Sequence, residues 1–116
     1  MDVIFKIIVV TYVEHLKNIL NHIVDSYHIL ETIEDKPGDL AKIEKEMLKI
    51  NGFIRVVSNK IDIEKIPNSD FKITKTKFLQ YLENYSFEKE IETMAPLYSN
   101  DVSRIKNMRL KILEAL

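Results

Sequence analysis

Between Val9 and Leu30 the apolar residues recur at alternating steps of four and three, through Val13, Leu16, Leu20, Ile23 and Tyr27. Steps of that size return each side chain to one side of an α-helix, whereas a half-buried strand needs a step of two. The spacing predicts one amphipathic helix from Asp2 to about Glu34, carrying a heptad seam of the coiled-coil kind. Tyr12, Ile19, Val24 and Ile33 lie beside the seam and widen it into a stripe suited to more than one neighbour. Glu14, Lys17, Asn18, Asn21, Asp25 and His28 fall on the opposite face. The first ten residues are apolar nearly all round and rich in β-branched types, so a short strand from Val3 to Val10 is the alternative there.

Lys36-Pro37-Gly38-Asp39 ends this segment. Proline cannot continue the hydrogen-bond ladder, glycine accepts turn geometry, and Asp39 is a good N-cap for a second helix. From there Leu40, Ile43, Met47, Ile50, Ile54, Val57 and Ile61 again alternate three and four. Two matching seams joined by a short loop predict an antiparallel helical hairpin. Asn51-Gly52 followed by Phe-Ile-Arg-Val-Val has turn and strand character, and the competing arrangement is a β-hairpin over 53–66 closed near Ser58-Asn59.

Pro67-Asn68-Ser69-Asp70 marks the next boundary, with Ser69 or Asp70 capping a helix from Phe71 to Tyr85. Its face is expected to consist of Phe71, Phe78, Leu82 and Tyr85, with Leu79 and Tyr81 beside it. A shorter helix from Phe87 to Met94 should stop before Ala95-Pro96. A last helix, capped by Ser99, Asn100 or Asp101, should bury Val102, Ile105, Met108, Ile112 and Leu116. The expected fold is all-α, a single helical domain over 1–116 built on the long hairpin. The α+β alternative places a winged-helix-like β-hairpin at 53–66.

Composition narrows the chemistry. With 46% hydrophobic and 30% charged residues the chain can form a core, and 17 basic against 18 acidic residues give no global pull toward nucleic acid or anionic lipid. Cysteine is absent, which removes disulfides, thiolate metal ligands and a cysteine nucleophile. The apolar start carries Asp2 and Lys6, has no basic n-region, and meets Glu14 and His15 before it could span a bilayer, so a cytoplasmic location is expected. The two glycines, at 38 and 52, are isolated and cannot build a phosphate loop, and no serine sits in a nucleophile elbow.

His15, His22 and His28 share the first helix, with Asp25 three residues beyond His22. No Glu-x-x-His element accompanies them, and His15 and His22 lie off the apolar seam, so they read as surface residues. The acidic groups at Glu44 and Glu46, and at Glu88, Glu90 and Glu92, are spaced for the solvent side of helices. An enzyme is therefore not expected, and neither a cofactor nor a small-molecule substrate is implied. A metal-dependent helical-bundle enzyme ranks third among the readings.

Two basic clusters survive the neutral total: Lys72, Lys75 and Lys77, and Arg104, Lys106, Arg109 and Lys111. With a wing at 53–66 they would suit a winged-helix-like DNA or RNA binder, although Asp39, Glu44 and Glu46 on the candidate reading helix oppose phosphate. The leading expectation comes from size. A helix of about 33 residues is about 50 Å long, whereas a compact domain of this length is nearer 35 Å across. Its apolar end, with Val3, Ile4, Ile7, Ile8 and Tyr12, should overhang and require cover. That pattern fits a small protein–protein interaction module, an adaptor, regulator or assembly subunit, covered by a second copy of itself or by another protein.

Overall fold

In the computed structural model, residues 2–61 and 69–116 are described, with side chains over 14–61 and 72–116. Across these residues five helices succeed one another: α1 (Asp2–Thr32), α2 (Asp39–Lys60), α3 (Ser69–Asn84), α4 (Glu88–Tyr98) and α5 (Val102–Ala115). There is no strand among the described residues. The Val3 to Val10 segment is helical, and so is Phe53 to Lys60, which removes the first strand of the alternative hairpin; positions 62–66 lie outside the described residues. Helix α2 runs through Gly52 because its apolar seam is continuous on either side. Burying seven large side chains outweighs the roughly 1 kcal/mol that a mid-helix glycine costs.

Helices α1 and α2 form the antiparallel hairpin that the two seams imply, and α2 is the hub, packing against α1, α3, α4 and α5. All seven seam residues are buried, six within α2 and the seventh, Ile61, at its C-cap. On α1 the buried positions are Leu16, Ile19, Ile23, Ser26 and Leu30, so the described seam is rotated slightly from the apolar pattern. Ser26 takes the central position assigned to Tyr27, which is half-buried, and Val24 faces solvent instead of widening the stripe. Among the described side chains of α3 the buried one is Tyr81, while Leu79 is exposed, as is Tyr85 just past the helix end; the Phe71 side chain lies outside the described residues. Helix α5 buries Ile105, Met108 and Ile112, leaving Val102 and Leu116 at its exposed ends.

Several boundaries differ from expectation; α3 already includes Ser69 and ends at Asn84, and α4 starts at Glu88, after Phe87. Helix α1 stops at Thr32, two residues early, because the chain must enter a left-handed turn at Asp35. Gly38, at φ 89°, precedes α2, and Asp39 is the first residue inside that helix. Its carboxylate still serves the helix entrance, accepting from the Lys36 N–H at 3.0 Å. Helix α4 passes through Pro96 to Tyr98; only the last turn lies beyond the proline, so the missing N–H costs a single ladder bond. Asp101 is the cap of α5, accepting from the Arg104 N–H.

The radius of gyration is 17.0 Å and the longest dimension 60 Å. A compact chain of this length would have a radius near 13 Å. The excess reflects the long hairpin.

Candidate functional site

The two ends of the α1–α2 hairpin are built differently. At the closed end the interhelical loop is tied to the carboxyl-terminal helices. Arg109 on α5 donates through Nε and Nη2 to both carboxylate oxygens of Asp35, at 2.7 and 2.8 Å, and through Nη1 to the Leu30 carbonyl near the end of α1. The Asp35 contact holds the guanidinium above its already high ordinary pKa, so it stays charged. Asp35 itself sits at φ 61°, a conformation aspartate tolerates better than most residues. The Gly38 N–H donates to the Ser99 carbonyl at 2.9 Å, joining the loop to the α4–α5 turn.

The neighbouring surface hollow, about 390 Å³, is lined by Ile29, Thr32, Ile33, Lys36, Asp39 and Lys42 among others. The Lys36 N–H holds the Asp39 carboxyl below the usual carboxylate range, with Lys42 assisting. Glu34, the second carboxyl lining the hollow, pairs with Lys36 Nζ at 2.6 Å, so both acids are engaged by neighbouring groups of the loop and the α2 entrance.

At the open end the pairing is apolar. Leu16 and Ile19 meet Val57 and Ile61 in a separate small cluster, with Leu20, Phe53 and Phe78 packed against it. Lys75 Nζ donates to the Ile61 carbonyl at 3.0 Å, satisfying a group that the end of α2 leaves open. This layer is the last described contact between α1 and α2. Helix α1 continues fourteen residues past Leu16 to Asp2, a distance of about 21 Å. Helix α3 begins at Ser69, six residues before Lys75, and Ile73 on that stretch is 53% exposed. Val3, Ile4, Ile7, Ile8 and Tyr12 belong to the extended part of α1, and their side chains lie outside the described residues. On the helix Val3 and Ile7, and Ile4 and Ile8, are one turn apart.

A third junction escapes the sequence pattern altogether. Asn51 is fully buried where α2, α3 and α4 meet. Tyr81 Oη donates to Asn51 Oδ1 at 2.8 Å, and Asn51 Nδ2 donates to the Ser86 carbonyl and to Glu88 Oε1. Arg55 closes the chain of bonds on Glu88 at 2.6 Å. Burial pushes the Tyr81 hydroxyl well above its ordinary pKa, so it serves here as a protonated donor. Asn51-Gly52 carries turn propensity, yet Asn51 is here the polar centre of a helix junction.

The cations named for nucleic-acid binding are not gathered on one free surface. Arg109 is held by Asp35 and Lys75 by the end of α2; Arg104 pairs with Asp101 and lies over the Tyr98 ring; Lys111 pairs with both oxygens of Glu90. Lys72, Lys77 and Lys106 are exposed. His15, His22 and His28 are exposed on α1, with the His22 ring stacked on Phe53 at 5.1 Å and His28 beside Glu31. Among the described residues no group of three or more His, Asp or Glu side chains converges to hold a metal. Nor is any helix among them long and apolar enough to cross a membrane. No protein family, curated protein or solved structure matches the chain.

Proposed function

We propose that this chain is a small helical protein–protein interaction module whose amino-terminal half of α1 pairs with a second copy. One observation carries the reading: α1 remains helical for fourteen residues beyond the Leu16 layer, past the level where α2 ends. That stretch is the most apolar of the sequence, with Asp2, Lys6 and Glu14 as its charged residues. Each large aliphatic side chain left in water forgoes about 1.5 to 3 kcal/mol, and a symmetric partner supplies the cover without a second gene product. Such a self-associating hairpin would serve as an adaptor, a regulator or an assembly subunit.

Sedimentation equilibrium at micromolar concentration tests this. The expected result is a dimer that Ile4→Asp or Ile8→Asp converts to a folded monomer. A wild-type chain that is monomeric throughout, with the two aspartate variants unchanged in thermal stability, would count decisively against it.

A further inference from the structure

The outer face of α2 has no neighbour among the described helices, and its centre is a glycine. At about 100° per residue, Gly52 lies opposite the buried line of Ile43, Met47, Ile50 and Ile54. One turn to either side stand Leu48 and Val56, which are 45% and 41% exposed. The fold gives no reason for the glycine: its backbone is ordinary helix, and a Cβ added there would meet nothing within 4 Å. A helix interior normally favours almost any other residue at such a place. A notch between two exposed aliphatic side chains is what a second helix requires in order to approach closely.

The charge around the notch is one-sided. Lys42, Lys45, Lys49 and Lys60 follow one edge of the Leu48–Gly52–Val56 line. The acids nearest that edge on α2, Asp39 and Glu46, are buried and pair with Lys42 and Lys49, each at 3.4 Å, so the excess positive charge of the edge comes from Lys45 and Lys60. On the other edge Arg55 is already neutralised by Glu88 of α4. A second copy packed antiparallel on the same face would set the lysine edge against itself.

We infer that the outer face of α2 is a docking surface for an amphipathic helix of another protein, one with an apolar strip and carboxylates along one flank. Recognition is of the helix-in-groove type: aliphatic side chains pack about the Gly52 notch, and the lysine edge fixes the partner's orientation. The surface shares no residue with the amino-terminal half of α1, so it stands or falls separately from self-association. Together the two would let a dimer present two partner-binding faces.

The test uses the full-length chain and two labelled synthetic peptides of about 20 residues, long enough to hold a helix. Both carry the same alanine and leucine strip; one has glutamates along a flank and the other lysines. Fluorescence anisotropy at low salt should show the glutamate peptide binding at least about tenfold more tightly, an advantage that shrinks as salt is added. Gly52→Leu should abolish that binding while leaving the melting temperature equal or higher, since leucine is the better helix former. Lys45→Glu with Lys49→Glu should reverse the preference between the peptides. Equal binding of the two peptides, or undiminished binding by the Gly52→Leu protein, overturns the proposal. Sedimentation of each variant reports separately on self-association.

Discussion

The two ends of the α1–α2 hairpin bury equally apolar residues but hold them by different means. At the closed end Leu30 is fully buried beside a loop fixed by the Asp35–Arg109 ion pair and the Gly38–Ser99 hydrogen bond. At the open end Leu16 is also fully buried, in an apolar cluster whose polar tie among the described residues is the Lys75 bond to Ile61. Equal burial therefore does not mean equal rigidity. Directional bonds across the closed end should resist collapse into an empty space, whereas an apolar cluster has fewer such bonds to hold it open.

The largest expected effect breaks this comparison most directly. Leu30→Ala should lower unfolding stability by about 4 kcal/mol and Leu16→Ala by about 2, the difference being how far each site collapses. Urea denaturation of both variants measures it. Similar losses at dilute concentration would show that the open end is as rigid as the closed one. A Leu16→Ala loss that grows with protein concentration would instead show that self-association locks the open end, since stability linked to a partner depends on concentration.

Next in size is the clasp itself. The Arg109 and Asp35 side chains are 13% and 9% exposed, so removing one partner strands a charge in a mostly buried place. Arg109→Leu should cost about 3 kcal/mol. The double variant with Asp35→Gly should recover part of that loss, because it removes the stranded carboxylate and suits the positive φ at that position. If the double variant is less stable than Arg109→Leu alone, the loop depends on the Asp35 side chain for more than the ion pair.

These contrasts also explain what the sequence revealed. The seven-residue seam of α2 was readable position by position, because a helix buried along its whole length repeats its apolar spacing without interruption. On α1 the same method placed Tyr27 where Ser26 lies, since a pattern of apolar residues cannot register a small polar side chain tucked against a neighbouring helix. The clasp was invisible for a different reason: its partners are 74 positions apart, and Arg109 reads as one more cation in a basic cluster. Apolar spacing puts Tyr81, like Leu79, beside the face of Phe71, Phe78, Leu82 and Tyr85, because spacing alone does not register that Tyr81 has a hydroxyl to satisfy Asn51. At the open end the sequence indicated an extended helix and the backbone shows one, but no periodicity identifies what covers it.

A smaller change probes the junction of α2, α3 and α4, which resembles the closed end in using polar bonds but is centred on a neutral amide. Tyr81→Phe leaves Asn51 Oδ1 without its donor in a fully buried position and should cost about 1 to 2 kcal/mol. A loss as large as that for Arg109→Leu would mean that the neutral junction, not the ion pair, is the stronger constraint.

The smallest effect is one of pH, and it separates the two polar sites. The Arg55 side chain, helped by Asn51, holds the Glu88 carboxyl below its ordinary value of 4.5. A carboxyl with a lowered folded-state pKa contributes stability that is complete above the unfolded-state value and is lost as pH falls through the folded one. Acid should therefore loosen the α2–α4 contact below about pH 4.5, and Asp39, lowered by the Lys36 N–H, should add a parallel loss at the closed end. Glu88→Gln keeps a group able to accept from Arg55 and Asn51 but cannot titrate. Its stability should fall less steeply than that of the parent chain as pH drops through the acid range below about 4.5, with Asp39→Asn flattening the remaining slope. Parallel pH profiles for Glu88→Gln and the parent would place the acid sensitivity at the closed end alone, and the open end, held by apolar contacts, should contribute to neither slope.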